Sequence, residues 1–84
     1  MSLEMPNDFK ITTTTQGRQG FTRYLREVSE GETILIAFQR GKRAIGAMAS
    51  LDAVRLLAGE PVDEGARARI TIAARGLIAA LEGE

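Results

Sequence analysis

Apolar residues recur along this chain with two periods. From Arg18 they fall at Phe21, Tyr24, Leu25 and Val28, the i, i+3, i+4, i+7 spacing of one helical face. That predicts a helix over 18–30 with those four residues in the core, ended by Gly31 at the C′ position. Before it, Phe9 to Thr15 alternates and carries four threonines, the composition of a strand. Gln16-Gly17 interrupts the pattern. Thr33 to Phe38 is a β-branched apolar run that predicts a second strand, and Ala44 to Ala49 a third. Gln39-Arg40-Gly41-Lys42-Arg43 between them predicts a hairpin with a basic tip. Gly46 marks a weak point in the return strand, or a place where another backbone approaches.

Ser50 is placed to cap a short helix, with Asp52 in its first turn and Leu51, Val54 and Leu57 on one face. Gly59-Glu60-Pro61 stops it. Asp63 is placed to cap a last helix reaching about Leu81, with Ile70, Ala74, Leu77, Ile78 and Leu81 on its apolar face and Ile72 off it. The element order is strand, helix, strand, strand, helix, helix. This predicts an α+β fold, a small antiparallel sheet with helices on one face.

With 84 residues the chain supports one hydrophobic core. A chain this short buries only about 60–65% of its unfolded surface. It contains no cysteine and no histidine, so neither a disulfide nor a Cys/His zinc site reinforces that core. Pairing of two copies is the remaining means, which predicts a homodimer. The same missing residue types argue against an enzyme. There is no imidazole for proton transfer near neutral pH and no thiol nucleophile. The carboxylates are scattered, and Arg40-Gly41-Lys42 lacks the spacing of a phosphate loop. No cofactor, metal or small-molecule substrate is expected. No apolar run approaches the ~20 residues of a membrane span, and the first residues lack the pattern of a signal peptide, so a cytoplasmic protein is expected. Met5 is a second candidate start.

Net charge is zero, but its distribution is uneven. From Phe9 to Arg55, Lys10, Arg18, Arg23, Arg26, Arg40, Lys42, Arg43 and Arg55 stand against Glu27, Glu30, Glu32 and Asp52, a net +4. Arg18, at the predicted helix start, is the sharpest candidate for an anion contact. The hydroxyls of Thr14, Thr15 and Thr22 can add phosphate hydrogen bonds. Arg23 with Glu27 and Arg26 with Glu30 have the spacing of helical ion pairs, the solvated-surface alternative. Arg40, Lys42 and Arg43 are either an ordinary polar turn or a second phosphate contact. Ile70, Leu77, Ile78 and Leu81 either pack on the chain's own sheet or its twin, or fill a partner's groove.

Taken in order, Ile11-Thr-Thr-Thr, Arg18-x-x-Phe21-Thr22-x-x-Leu25-x-x-Val28-x-x-Gly31-Glu32, Ile34-Leu35-Ile36 and Arg40-Gly41-Lys42 resemble the Phd/YefM antitoxin family. The likeness spans roughly residues 10–57. It departs from the usual pattern by one residue around Gln16-Gly17 and by Ala37-Phe38-Gln39 ahead of Arg40. The resemblance implies a β-α-β-β-α-α homodimer. Its part over 9–58 would dimerise and bind operator DNA, and its segment over 59–84 would bind and neutralise a toxin. By position it implies DNA contacts at Thr14, Thr15, Arg18 and Thr22. A dimeric protein-binding module of the same fold, without DNA binding, is the alternative.

Overall fold

The computed structural model describes residues 8–83. Strand β1 (Phe9–Thr13) leads into helices α1 (Thr14–Gln19) and α2 (Phe21–Ser29). Strands β2 (Leu35–Arg40) and β3 (Arg43–Ala49) follow, then α3 (Leu51–Leu57) and α4 (Glu64–Glu82). The fold is α+β, with one three-stranded sheet ordered β1-β2-β3.

The sheet is mixed, where alternation predicts an antiparallel one. β2 and β3 form the expected hairpin, but β1 runs parallel to β2, with Phe9 beside Leu35 and Thr13 beside Gln39. The cause is the pair of helices between them. A chain that leaves one end of the sheet and is carried by helices back to the end where the first strand began lays the next strand parallel.

The helices also cover both faces of the sheet, not one. Side chains alternate along a strand. On one face Ile36, with Phe38 and Met48 beside it, packs under Tyr24 and Val28 of α2. On the other, Phe9, Leu35 and Ala49 pack with Ile34 against Ala53 of α3 and Ile70 and Ala73 of α4. The sheet is thus the middle layer of three, and its central residue Ile36 is wholly buried.

The predicted helix over 18–30 is two helices. Thr13 caps α1 by accepting a hydrogen bond from the Gln16 amide at 3.0 Å, so Thr14 and Thr15 form a helical first turn and not a strand end. Gly17 is inside α1, buried against the Phe38 ring. The break falls at Gly20, whose N–H donates to Gln16 and whose carbonyl accepts from Tyr24. Downstream, Gly31 (φ 81) ends α2 and Gly59 (φ 81) ends α3. Each is followed by the paired 6→1 and 5→2 hydrogen bonds of a Schellman motif. Ser50 and Asp63 cap α3 and α4 as their places in the sequence predict.

β3 carries one extra residue opposite the Phe38–Gln39 step, a bulge at Ile45 beside Gly46. A Cβ on Gly46 would meet no atom within 4 Å, so among the described residues nothing closes over that face of the strand. Among the described residues no helix is long and apolar enough to cross a membrane.

Candidate nucleic-acid interface

The strand register gathers the candidate contact residues at one end of the sheet. Thr13 ends β1 beside Gln39, and Arg40 faces Arg43 one step further on. The C-terminal ends of β1 and β2 and the start of β3 therefore coincide. α1 leaves from that end with Thr14 and Thr15 in its first turn. α2 runs back over the sheet, with Tyr24 above Thr12 (3.3 Å between hydroxyls) and Glu27 above Lys10 (2.6 Å). This direction puts the first turn of α2, with Thr22, at the same end. Thr15, Arg18, Thr22, Arg40, Lys42 and Arg43 are exposed, and Thr14 is half-buried.

The hairpin tip has a two-residue turn in which only Gly41 has positive φ (67°). That is the type II′ pattern, with glycine at the first central position. So tight a turn sets the Arg40 and Arg43 side chains directly opposite, with Lys42 between them. Like charges facing across a ladder destabilise it. The ion pairs among the described residues join Lys10 to Glu27, Arg55 to Asp52 and Arg69 to Asp8. None relieves the tip, and none engages Arg18. An anion with closely spaced negative charges would relieve both.

Arg18 lies in the last turn of α1, not at a helix start. The helix begins four residues earlier because Thr13, not the glycine, sets its N-terminus. The dipole at Arg18 therefore presents carbonyls, which favour the cation itself and add nothing to anion binding. Arg18 acts as an exposed guanidinium and no more.

The helical ion pairs predicted on α2 are absent among the described residues. Glu27 is taken by Lys10, and Thr33 also donates to it at 3.2 Å. These contacts, the Lys10 hydrogen bond foremost, hold the Glu27 carboxyl below its usual pKa against the opposing effect of burial. Arg23 instead lies over the Tyr24 ring, 5.0 Å from its centre. The Tyr24 hydroxyl is lowered from its ordinary pKa by its hydrogen bond to Thr12 and then by the neighbouring Arg23 guanidinium, against the opposing effect of burial.

Of the four candidate partner residues on α4, Ile70 and Leu77 are buried within the chain. Leu81 is half-buried, and only Ile78 is well exposed at 53%. Ile72 projects to solvent. The predicted core also divides: Tyr24 and Val28 are inside, whereas Phe21 and Leu25 are exposed. Leu25 and Leu51 instead line an apolar cleft of about 500 Å³ where α2, α3 and α4 meet. Periodicity places all four α2 residues in one stripe and gives no sign that only Tyr24 and Val28 are enclosed among the described residues.

Comparison with family models, curated proteins and solved structures finds no match to this chain.

Proposed function

We propose that the protein is the antitoxin of a type II toxin–antitoxin system, acting in the cytoplasm as a homodimeric repressor on operator DNA. One observation carries the DNA half. Arg18, Arg40, Lys42 and Arg43 stand at one end of the sheet, exposed and without carboxylate partners among the described residues, beside the hydroxyls of Thr14, Thr15 and Thr22. Cations and hydroxyls of this kind bind phosphates, and releasing the counterions of DNA supplies the free energy. By position, the likeness to Phd/YefM antitoxins implies contacts at Thr14, Thr15, Arg18 and Thr22 among these.

A dimer is supported by the apolar surface one chain leaves in water. Phe21, Leu25, Ile45 and Leu51 are all exposed. Each is still 46–71% exposed, so covering the remainder would stabilise an assembly by roughly 1–2 kcal/mol per residue. Two copies also double the basic end and allow two half-sites on one duplex.

The toxin-binding half has a narrower footing. With Ile70 and Leu77 enclosed, the apolar residues that α4 can offer are Ile72, Ile78 and part of Leu81. The bare Leu57 side chain, 86% exposed, equally suits the alternative of a protein-binding module that ignores DNA.

Arg18→Ala separates the two. A repressor loses duplex affinity on this substitution while its mass in solution stays that of a dimer. Equal duplex binding by variant and parent at matched salt removes Arg18 from the contact, and no binding by either leaves the protein-binding module.

A further inference from the structure

β1 is an edge strand, hydrogen-bonded to β2 on one side only. The Asp8 carbonyl accepts from the Ile34 and Leu35 amides at 2.8 and 3.1 Å, so it faces β2. Backbone groups alternate in direction along a strand, and Lys10 and Thr12 therefore face β2 as well. Phe9 and Ile11 turn their N–H and C=O outward, to no backbone partner among the described residues.

Along that edge runs a groove of about 690 Å³, lined on the strand side by Phe9, Lys10, Ile11 and Thr12 in unbroken succession. Consecutive strand residues point to opposite faces, so four in a row line one groove only where it follows the edge itself. α2 forms the other wall. There Glu27 is neutralised by Lys10, Tyr24 is held by Thr12, and the Arg23 guanidinium over Tyr24 has no carboxylate partner among the described residues. The groove thus pairs an open strand edge with one uncompensated positive charge. On its opposite side the strand presents Phe9 and Ile11, the apolar residues turned toward α4.

We propose that this groove binds an extended peptide segment of a partner protein, which adds to β1 as a fourth strand and alternates acidic and apolar side chains. The outward N–H and C=O groups of Phe9 and Ile11 supply main-chain pairing. A carboxylate on the α2 side meets Arg23, and apolar side chains on the other meet Ile11 and Phe9. Neither Arg23 nor the β1 backbone belongs to the proposed DNA contact, so this site stands or fails separately.

The test uses the full chain and two blocked synthetic hexapeptides, Val-Glu-Val-Glu-Val-Thr and the same peptide with lysine for glutamate. Amide hydrogen exchange is followed residue by residue. The acidic peptide is expected to slow exchange at Phe9 and Ile11 at least tenfold, and the lysine peptide to leave it unchanged. Arg23→Gln, at an exposed position, should weaken acidic-peptide binding at least fivefold. Ile11→Pro should abolish it while keeping the far-UV spectrum, since the lost N–H faces outward, where an edge strand tolerates proline. Equal protection by both peptides overturns the proposal, as does none by either. So does protection of Phe9 and Ile11 that rises with protein concentration in the absence of peptide, which would give the edge to a second copy.

Discussion

Gly17 and Phe38 approach so closely that a methyl group on the glycine would stand 2.6 Å from two carbons of the ring. This contact seats α1 on β2 and thereby sets where Thr14, Thr15 and Arg18 lie relative to the hairpin tip. Two effects oppose each other in Gly17→Ala. Alanine is the better helix former by about 1 kcal/mol. Forcing a methyl into a filled contact costs about 1–3 kcal/mol. At 2.6 Å the clash wins, and the expected outcome is a lower denaturation midpoint together with weaker duplex binding. A midpoint above that of the parent would show that α1 is not held there.

Replacing Arg40, Lys42 and Arg43 together by glutamine should separate binding from folding. The three side chains are exposed, and removing like charges from a facing pair does not weaken a hairpin. The thermal midpoint is expected to hold or rise slightly, while affinity for duplex DNA falls. A variant that unfolds would mean the tip is bonded into the fold.

α4 contributes to the core, with Ile70, Ala73 and Leu77 buried. Ile70 and Ala73 share a cluster with Ile34 and Ala53. Ile70→Ala is expected to cost about 2–4 kcal/mol in denaturant unfolding, the usual cost of a cavity at a buried aliphatic site. Ile72→Ala and Ile78→Ala, at exposed positions, should cost under about 0.5 kcal/mol. If all three cost alike, α4 is not seated on the sheet as described.

The Lys10–Glu27 contact predicts a definite pH dependence. The folded carboxyl titrates below the unfolded value near 4.5, because its contact with Lys10 favours the charged form. Its stabilisation is therefore complete above about pH 4.5 and is lost as the pH falls through the lower, folded pKa. Denaturant midpoints measured from pH 7 down to pH 3 should fall less steeply in Glu27→Gln than in the parent. Parallel curves would show that another carboxyl governs acid unfolding.

Much of this architecture was legible because caps and turns act locally. Gly31, Ser50, Asp63 and the Gly41 turn each stand where their residue type alone demands. Three features were not legible, each for a nonlocal reason. Gly17 reads as a breaker until the Phe38 ring is known to lie against it, and so the true break at Gly20 is misplaced. The pairing partner of β1 lies beyond two helices, and its direction depends on how they cross, not on alternation within the strand. Phe21 and Leu25 belong to the same stripe as Tyr24 and Val28, yet nothing among the described residues encloses them. For the candidate site the residue types were readable, and Arg18, Thr22 and the tip lie toward the same end of the sheet. The mechanism attached to Arg18 was not readable, because it rested on a helix start four residues too late.

In the proposed repressor, the cations at one end of the sheet, unpaired among the described residues, meet a phosphate backbone. The most direct test is the salt dependence of binding to the duplex immediately upstream of the protein's own reading frame, followed by fluorescence anisotropy for the parent and for the Arg40, Lys42, Arg43 triple glutamine variant. Each phosphate contact contributes about 0.9 to the slope of log affinity against log salt. The variant's slope should be shallower by about 2.7 per bound protomer, with the parent losing at least about a thousandfold in affinity between 50 and 200 mM salt. Identical slopes for the two proteins, or affinity in the parent that does not change with salt, would contradict it.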